Sequence, residues 1–393
     1  MSRKLNILIL SPFALENGRG GEISSMELAS GLNKFYNVTL MDTNIFTDKE
    51  LLSPKIIKTK IKGLENKKRL KFATLTLFNR IFNCPYPLEL IKYYRIVKNQ
   101  DIIYSSFFDF KSCLLIIFFK LLHRKGKFIV GYRKPLYSQK LFSLYNLKYR
   151  MAILFFSKFK KSVYHHTMSY HARKFLKNFY DSNSIIHITH GIELEKFDRT
   201  KIEVKKDDIL NFLYLGYLDD IHKGITVLVD AIDEFLKENQ ELKVFFEFCG
   251  MGPLDFKIIE LEKKYPDHVK FSGYISNDLI PLFYKKSDVF LFSSRVEPFP
   301  RTIMEALASN LIIICTKTIG SVELLKGKKF AFFIPKLNTN EIKLKILEIY
   351  NLWIKNPIKF RELQNLAKEY VFKNYSLDKE LEEFKIFIDK ITN

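Results

Sequence analysis

Two glutamates, Glu297 and Glu305, stand with seven residues between them in SDVFLFSSRVEPFPRTIMEALASNLIIICTKTIGSVE, the stretch from Ser287 to Glu323. Asp288–Ser293 and Asn310–Thr316 are apolar runs of strand length. Between them the pattern predicts a helix whose start is marked by Pro300 and whose apolar face is Ile303, Leu307 and Met304. Glu297 then falls in the loop leaving a strand. Glu305 falls about a turn into the helix, where its side chain can reach back toward that loop. A helix opening after a parallel strand offers unpaired N–H groups and a positive dipole end, which suit a phosphate. Carboxylates beside a phosphate would repel it, so they suit sugar hydroxyls: a ribose for one, a transferred sugar for the other. Two glutamates alone fit equally well as a solvated loop charge and an acid favoured by a helix N-terminus.

Such residues need elements to position them. Strand-like runs fall near Leu5–Leu10, Val38–Asp42, Asp101–Ser105, Phe128–Tyr132, Ser162–Thr167 and Ile185–Thr189. A second set falls near Asn211–Leu215, Leu242–Cys249, Val269–Ser272, Asp288–Ser293, Leu311–Thr316 and Phe330–Ile334. Helical patterns such as Ile23–Leu32 and Thr226–Glu238 lie between most of them. This alternation predicts an α/β chain with parallel sheets covered on both faces. The charged stretch Glu195–Asp208 separates the two sets into two Rossmann-like domains, 1–198 and 199–375, followed by a C-terminal helical segment, 376–393.

The composition is compatible with that size: 393 residues with 47% hydrophobic content are enough for two cores. Cys84, Cys113, Cys249 and Cys315 show no C-x2-C spacing and read as buried free thiols of a reducing compartment. Lys4–Leu10 is strand length rather than a signal segment, and Cys113–Leu122, broken by Lys120, is too short to span a bilayer.

The charge is unevenly placed. Of a net +21, residues 51–180 hold +24, from 28 Lys or Arg against only Glu65, Glu89, Asp101 and Asp109. No acid occurs from Phe110 to Tyr180. A one-sided field of this size marks an anionic partner: membrane phospholipid, a lipid-linked phosphate or nucleic acid. Within it, Tyr137–Ser162 places Lys140, Arg150 and Lys161 near one helical stripe and Leu141, Leu144, Met151 and Phe155 away from it. The pattern fits a helix lying in a bilayer interface, where each basic residue adds about 1 kcal/mol, and also a helix packed on the first sheet. The missing acids favour the membrane. Nucleic acid ranks second, since no RNP-type, zinc-finger or helix-turn-helix signature is present.

EPFPRTIMEALASN…GSVE resembles the E-x7-E signature of glycosyltransferase family 4, the retaining, nucleotide-sugar-dependent enzymes of GT-B fold. The resemblance is tight over 211–323 and loose over 1–195. It implies two Rossmann-like domains with parallel sheets facing a central cleft, and a C-terminal helix returning to the first domain. LGYLDDIHKG is similar to the family's G-R-L-x-x-x-K-G, which implies that Gly216 admits the diphosphate and Lys223 neutralises the leaving phosphate. FCGMGP and FSGYIS resemble the turns lining the base pocket, which brings in Gly250, Gly252 and Tyr274. In the central motif the resemblance gives Glu305 the ribose and Glu297 the transferred sugar. Phe299 and the N–H groups of Arg301, Thr302 and Ile303 fall beside the donor. Gly20 and Gly21 match the family's glycine pair near the donor phosphates. THGIELEKF resembles the turn that ends the first domain.

Four positions depart from the pattern. Arg133 replaces a histidine near the reacting sugar, and it can bind a phosphate or hydroxyl but cannot shuttle protons. His165, His166 and His171 read as ordinary strand-end and helix residues. Tyr217 replaces an arginine, Pro300 a glycine and Ile319 another glycine.

The sequence thus points to a retaining hexosyltransferase with Glu297, Lys223 and Arg133 in catalytic roles. Its substrate would be a UDP- or GDP-sugar, with no further cofactor. No D-x-D run occurs, so no bridging metal is expected. The expected acceptor is a glycan or polyprenyl-linked sugar, with an anionic membrane surface as partner, no nucleic acid, and a cytoplasmic, peripheral location. Rival readings are a GT-B epimerase acting on one nucleotide sugar and a non-catalytic basic binder.

Overall fold

The structure is a computed structural model that describes residues 3–11, 20–42, 70–71, 97–108, 116–121, 123, 126–133, 153–157, 162–198 and 208–392. The first loop up to residue 19, Cys84, Cys113 and most of the basic stretch 137–162 lie outside the described residues. The chain divides into two units, Met1–His190 with Leu377–Asn393, and Gly191–Ser376.

The first unit holds a parallel sheet of strands β1 (Asn6–Ser11), β2 (Asn37–Asp42), β3 (Leu70–Lys71), β4 (Ile102–Ser105), β5 (Lys127–Tyr132), β6 (Val163–Thr167) and β7 (Ile185–His187). Their order is β3-β2-β1-β4-β5-β6-β7. Only β3 was not foreseen from the sequence. Ile7 and Ile9 of β1 enter one core and Leu8 and Leu10 the other. Successive strand residues face opposite sides, so an unbroken apolar strand must be covered on both. Helix α1 (Gly20–Leu32) covers one face together with the C-terminal helix Leu377–Thr392. The latter carries Leu381, Phe384, Phe387, Ile388 and Ile391 into that core. Its seat is cut to shape at Gly31, where a Cβ would overlap Leu381, and is fixed by Tyr36 Oη donating to Asp389 Oδ1 at 2.9 Å.

The second unit repeats the plan with β8 (Leu210–Leu215), β9 (Val244–Cys249), β10 (Val269–Gly273), β11 (Val289–Phe292), β12 (Ile312–Thr316) and β13 (Ala331–Ile334). Its order is β10-β9-β8-β11-β12-β13, again all parallel. Helix α2 (Ile225–Glu238) buries Ile225, Leu228, Val229, Ile232, Phe235 and Leu236, the spacing of one helical face. Phe197 belongs to this unit: its ring meets Tyr284 edge-on and its carbonyl accepts from Ser309 Oγ at 2.7 Å. Cys249 and Cys315 are buried free thiols, and burial pushes both up from the usual thiol range.

Two histidines on β6 make the first unit acid-sensitive. His165 stacks on Tyr180 and bonds Tyr132 Oη at 3.0 Å, and His166 bonds Tyr104 Oη at 2.9 Å and the Ile188 carbonyl at 3.0 Å. Burial lowers each to about 3, with the Arg133 charge adding to the shift at His166 and the Ile188 bond and Glu380 opposing it. Below about pH 6.5 the unfolded chain takes up protons that the folded chain refuses. Stability is therefore complete above that pH and falls toward pH 3, by roughly 1.4 kcal/mol per pH unit for each histidine. Hydrogen exchange of the β5 and β6 amides between pH 7 and 4.5 should show it, and His166→Asn should flatten the slope. An unchanged slope in that variant would mean that His166 takes up its proton as readily in the fold as in the unfolded chain.

Candidate active site

In open parallel sheets, ligands bind outside the carboxyl ends of the strands where the strand order reverses. In the second unit that point lies between β8 and β11, which leave into the loops carrying Lys223 and Glu297.

The β8 loop is shaped by Asp219. Its Oδ1 accepts from the backbone N–H of His222 (3.0 Å) and Lys223 (2.9 Å), and its Oδ2 is 2.7 Å from His222 Nδ1. Burial would raise this carboxyl, but the bonds from His222 and Lys223 outweigh it and hold the group below the usual range. The β11 loop is stitched to this turn. Ser293 Oγ donates to the Lys223 carbonyl (2.7 Å), Arg295 N–H to the His222 carbonyl (2.7 Å), and Arg295 Nε to the Asp220 carbonyl (2.9 Å). Gly224, at φ +64°, follows at once, and a Cβ there would lie 2.9 Å from the Ser293 carbonyl oxygen. The two loops thus behave as one piece of backbone.

On that piece, Lys223 Nζ lies 3.0 Å from Glu297 Oε2, with the two side chains 24% and 22% exposed. The sequence did not reveal this pairing; it comes from the crossing of two distant loops. Each partner holds the other in place while leaving a face toward solvent. Behind Glu297, its carbonyl accepts from Gly320 N–H at 2.9 Å, and a Cβ on Gly320 would lie 2.8 Å from that oxygen. The start of the helix Ile319–Leu325 therefore braces the glutamate loop.

Helix α3 (Arg301–Ala308) starts after Pro300, which occupies the N-cap position. Arg301 and Thr302 form the first turn, where the amides of an α-helix generally lack an intrahelical acceptor. Ile303 departs from expectation: its N–H donates to the Pro300 carbonyl at 3.2 Å, closing a tight first turn. Glu305 is buried. Its Oε1 accepts from Arg301 Nε at 2.7 Å, one turn back, and its Oε2 from Tyr284 Oη at 3.1 Å. Burial, reinforced by Glu305, pushes the Tyr284 hydroxyl well up.

The remaining expected donor residues divide. Tyr274 is 59% exposed just past β10. Phe299 is buried, tilted against Tyr375 at 6.0 Å, so its ring packs the loop rather than meeting solvent. Gly216, Gly250 and Gly252 form a loop-to-loop contact. A Cβ on Gly250, at φ +146°, would overlap the Gly216 carbonyl, and one on Gly252 would overlap that of Leu218. The small size of Gly250 and Gly252 is required by the backbone of the β8 loop.

In the first unit, Gly20 opens α1 and Gly21 follows, where a Cβ would lie 2.7 Å from Phe107 Cζ. Arg133 is 7% exposed at the end of β5. Its Nη1 donates to Ser24 Oγ, and its Nη2 to Tyr104 Oη at 3.5 Å. Sequence reasoning missed Asp219, Ser293, Tyr284 and Ser24. Only Asp219 carried a signal, an Asp followed by His and Lys in a turn-forming run.

Two Rossmann-like units with these topologies define the GT-B fold. Residues 195–370 match the family described as Glycosyl transferases group 1. The chain is 26% identical over 176 residues to an uncharacterized glycosyltransferase of Methanocaldococcus jannaschii, covering 44% of this chain and 43% of that one. It is 31% identical over 154 residues to the alpha-monoglucosyldiacylglycerol synthase of Acholeplasma laidlawii, covering 38% and 36%. The chain spans less than half the length of the first of these curated relatives. In fold, it is similar to the crystal structure of Anabaena HepE in complex with UDP and glucose. That likeness has a TM-score of 0.71 at 16% identity and covers 98% of this chain and 99% of that one.

Proposed function

We propose that this protein is a retaining glycosyltransferase that moves a sugar from a nucleotide sugar, held mainly by the second unit, to an acceptor bound by the first. The observation that carries the reading is the Lys223–Glu297 pair at the β8/β11 reversal. A lysine and a carboxylate fixed on joined loops can serve opposite ends of a breaking glycosidic bond. Lys223 and the first-turn amides of α3 take the charge developing on the departing diphosphate. Glu297 positions the sugar and steadies positive charge at its anomeric carbon. Glu305 holds the α3 turn through Arg301 and anchors the ribose. No metal enters this assignment, since the sequence has no D-x-D run.

A panel of UDP-, GDP- and ADP-sugars, read by thermal shift, tests the donor. A rise with one nucleotide series supports the reading, and no rise with any would end it. Product analysis then separates transfer from epimerisation, and the anomeric configuration of the product tests retention.

The acid-free basic stretch supports a membrane-proximal acceptor, and the relative from Acholeplasma laidlawii is by name an alpha-monoglucosyldiacylglycerol synthase. No helix among the described residues is long and apolar enough to cross a membrane. Peripheral binding through charge should float the protein with anionic but not neutral liposomes, and added salt should release it. Failure to float with either kind would remove the membrane part alone.

A further inference from the structure

The first unit contains a buried cation, Arg133, that forms no ion pair among the described residues. Arg133 lies beside the β1/β4 reversal, the point at which an open sheet receives ligands. Its guanidinium is always charged. It donates to two hydroxyls, Ser24 Oγ and Tyr104 Oη, and sits over the Phe107 ring at 5.7 Å from its centre. Its Nε is buried without a hydrogen-bond partner. No carboxylate among the described residues forms an ion pair with it. Glu380, buried in the same interior, pairs with His190 Nδ1 at 3.2 Å instead.

Hydroxyls satisfy N–H groups but do not cancel charge, and a buried cation without a counter-charge is costly. Burial and the Arg133 charge keep His166 neutral beside it. Phe107 touches both the start of α1 at Gly21 and the guanidinium, which brings that helix start close to Arg133. A planar fork with an unused donor matches a carboxylate or a phosphate.

We propose that Arg133 is a specificity residue that binds a carboxylate or phosphate carried by a sugar substrate. This rests on the proposed transferase function, because it presumes that the first unit meets a sugar. The anionic group has two possible sources, the sugar of the nucleotide donor or the sugar acceptor.

Calorimetric titration of the full chain distinguishes them. UDP-glucuronic acid is compared with UDP-glucose for the donor, and glucose 6-phosphate with glucose for the acceptor. The expected result is that, in one pair, the charged member binds about ten- to a hundred-fold tighter than the neutral one. Arg133→Gln should bring the charged probe down to the level of the neutral probe, and Arg133→Lys should restore part of the difference. Equal affinities within both pairs in the wild-type chain would overturn the proposal, as would discrimination that survives Arg133→Gln. Should Arg133→Gln fail to fold, Ser24→Ala, which loosens the guanidinium, should shrink the same difference, and an unshrunken difference would count against it. UDP titrated alone separates the two levels. UDP binding without charge discrimination sinks only this inference. Discrimination between glucose 6-phosphate and glucose without UDP binding sinks the donor reading and leaves the Arg133 site standing.

Discussion

Lys223→Met is expected to lower sugar transfer by about 10²- to 10³-fold, the cost of removing one preorganised charge from a developing anion. Glu297→Gln should lower it by a similar factor, yet the two variants should part company in how they bind UDP. In the free protein each side chain neutralises the other at 3.0 Å. Removing the lysine deletes the group proposed to meet the diphosphate, so UDP affinity should fall with the rate. Removing the carboxylate's charge releases the lysine, so UDP affinity should hold or rise while transfer collapses. Stability should hardly move in either, because a partly exposed pair contributes about 0–1 kcal/mol. Steady-state transfer together with UDP titration reads both quantities. Near-normal turnover in either variant would refute its role, and parallel loss of UDP affinity in both would refute the division of labour between them.

Glu305→Ala is expected to act mainly on stability. Its two oxygens hold Arg301 and Tyr284, and the Arg301 and Glu305 side chains are only 12% and 9% exposed. Truncation breaks a buried ion pair by removing one partner, which typically costs about 3–5 kcal/mol. For a unit of this size the loss should lower the melting midpoint by about 10 °C. Trp353, the chain's one tryptophan, lies in the helix Thr339–Lys355 of the second unit, so its fluorescence reports that unit selectively. Glu305→Gln keeps both acceptor positions close to their place and should lose far less stability. If it nevertheless loses donor affinity, the carboxylate meets the ribose as proposed; if it keeps both, Glu305 is an internal strut of α3 and nothing more.

The contrast between these glutamates shows where sequence information ends. They look equivalent in EPFPRTIMEAL, yet one is a half-open partner of a lysine and the other lies buried against Arg301 and Tyr284. Helical spacing could place Glu305 one turn after Arg301, and an i,i+4 pair is foreseeable from that alone. Nothing local could supply Tyr284, which reaches Glu305 from a different helix, or bring Lys223 to Glu297 across 74 residues. The surroundings of Phe299 and Ile303 were hidden for the same reason: what a ring or an amide can meet depends on what packs against it.

What the chain's sequence determined by itself was everything governed by neighbours along the backbone. The strand runs, the helix start at Pro300, the turn glycines and the split into two parallel-sheet units all follow from local apolar periodicity and breaker residues. The tertiary structure alone decided which charges meet. It paired Lys223 with Glu297, buried Glu305 against Tyr284, and left Arg133 inside the first unit among hydroxyls with no carboxylate of the described residues beside it. Electrostatic partners are set by distance and by exclusion of water, and both exist only once the sheets have closed over them.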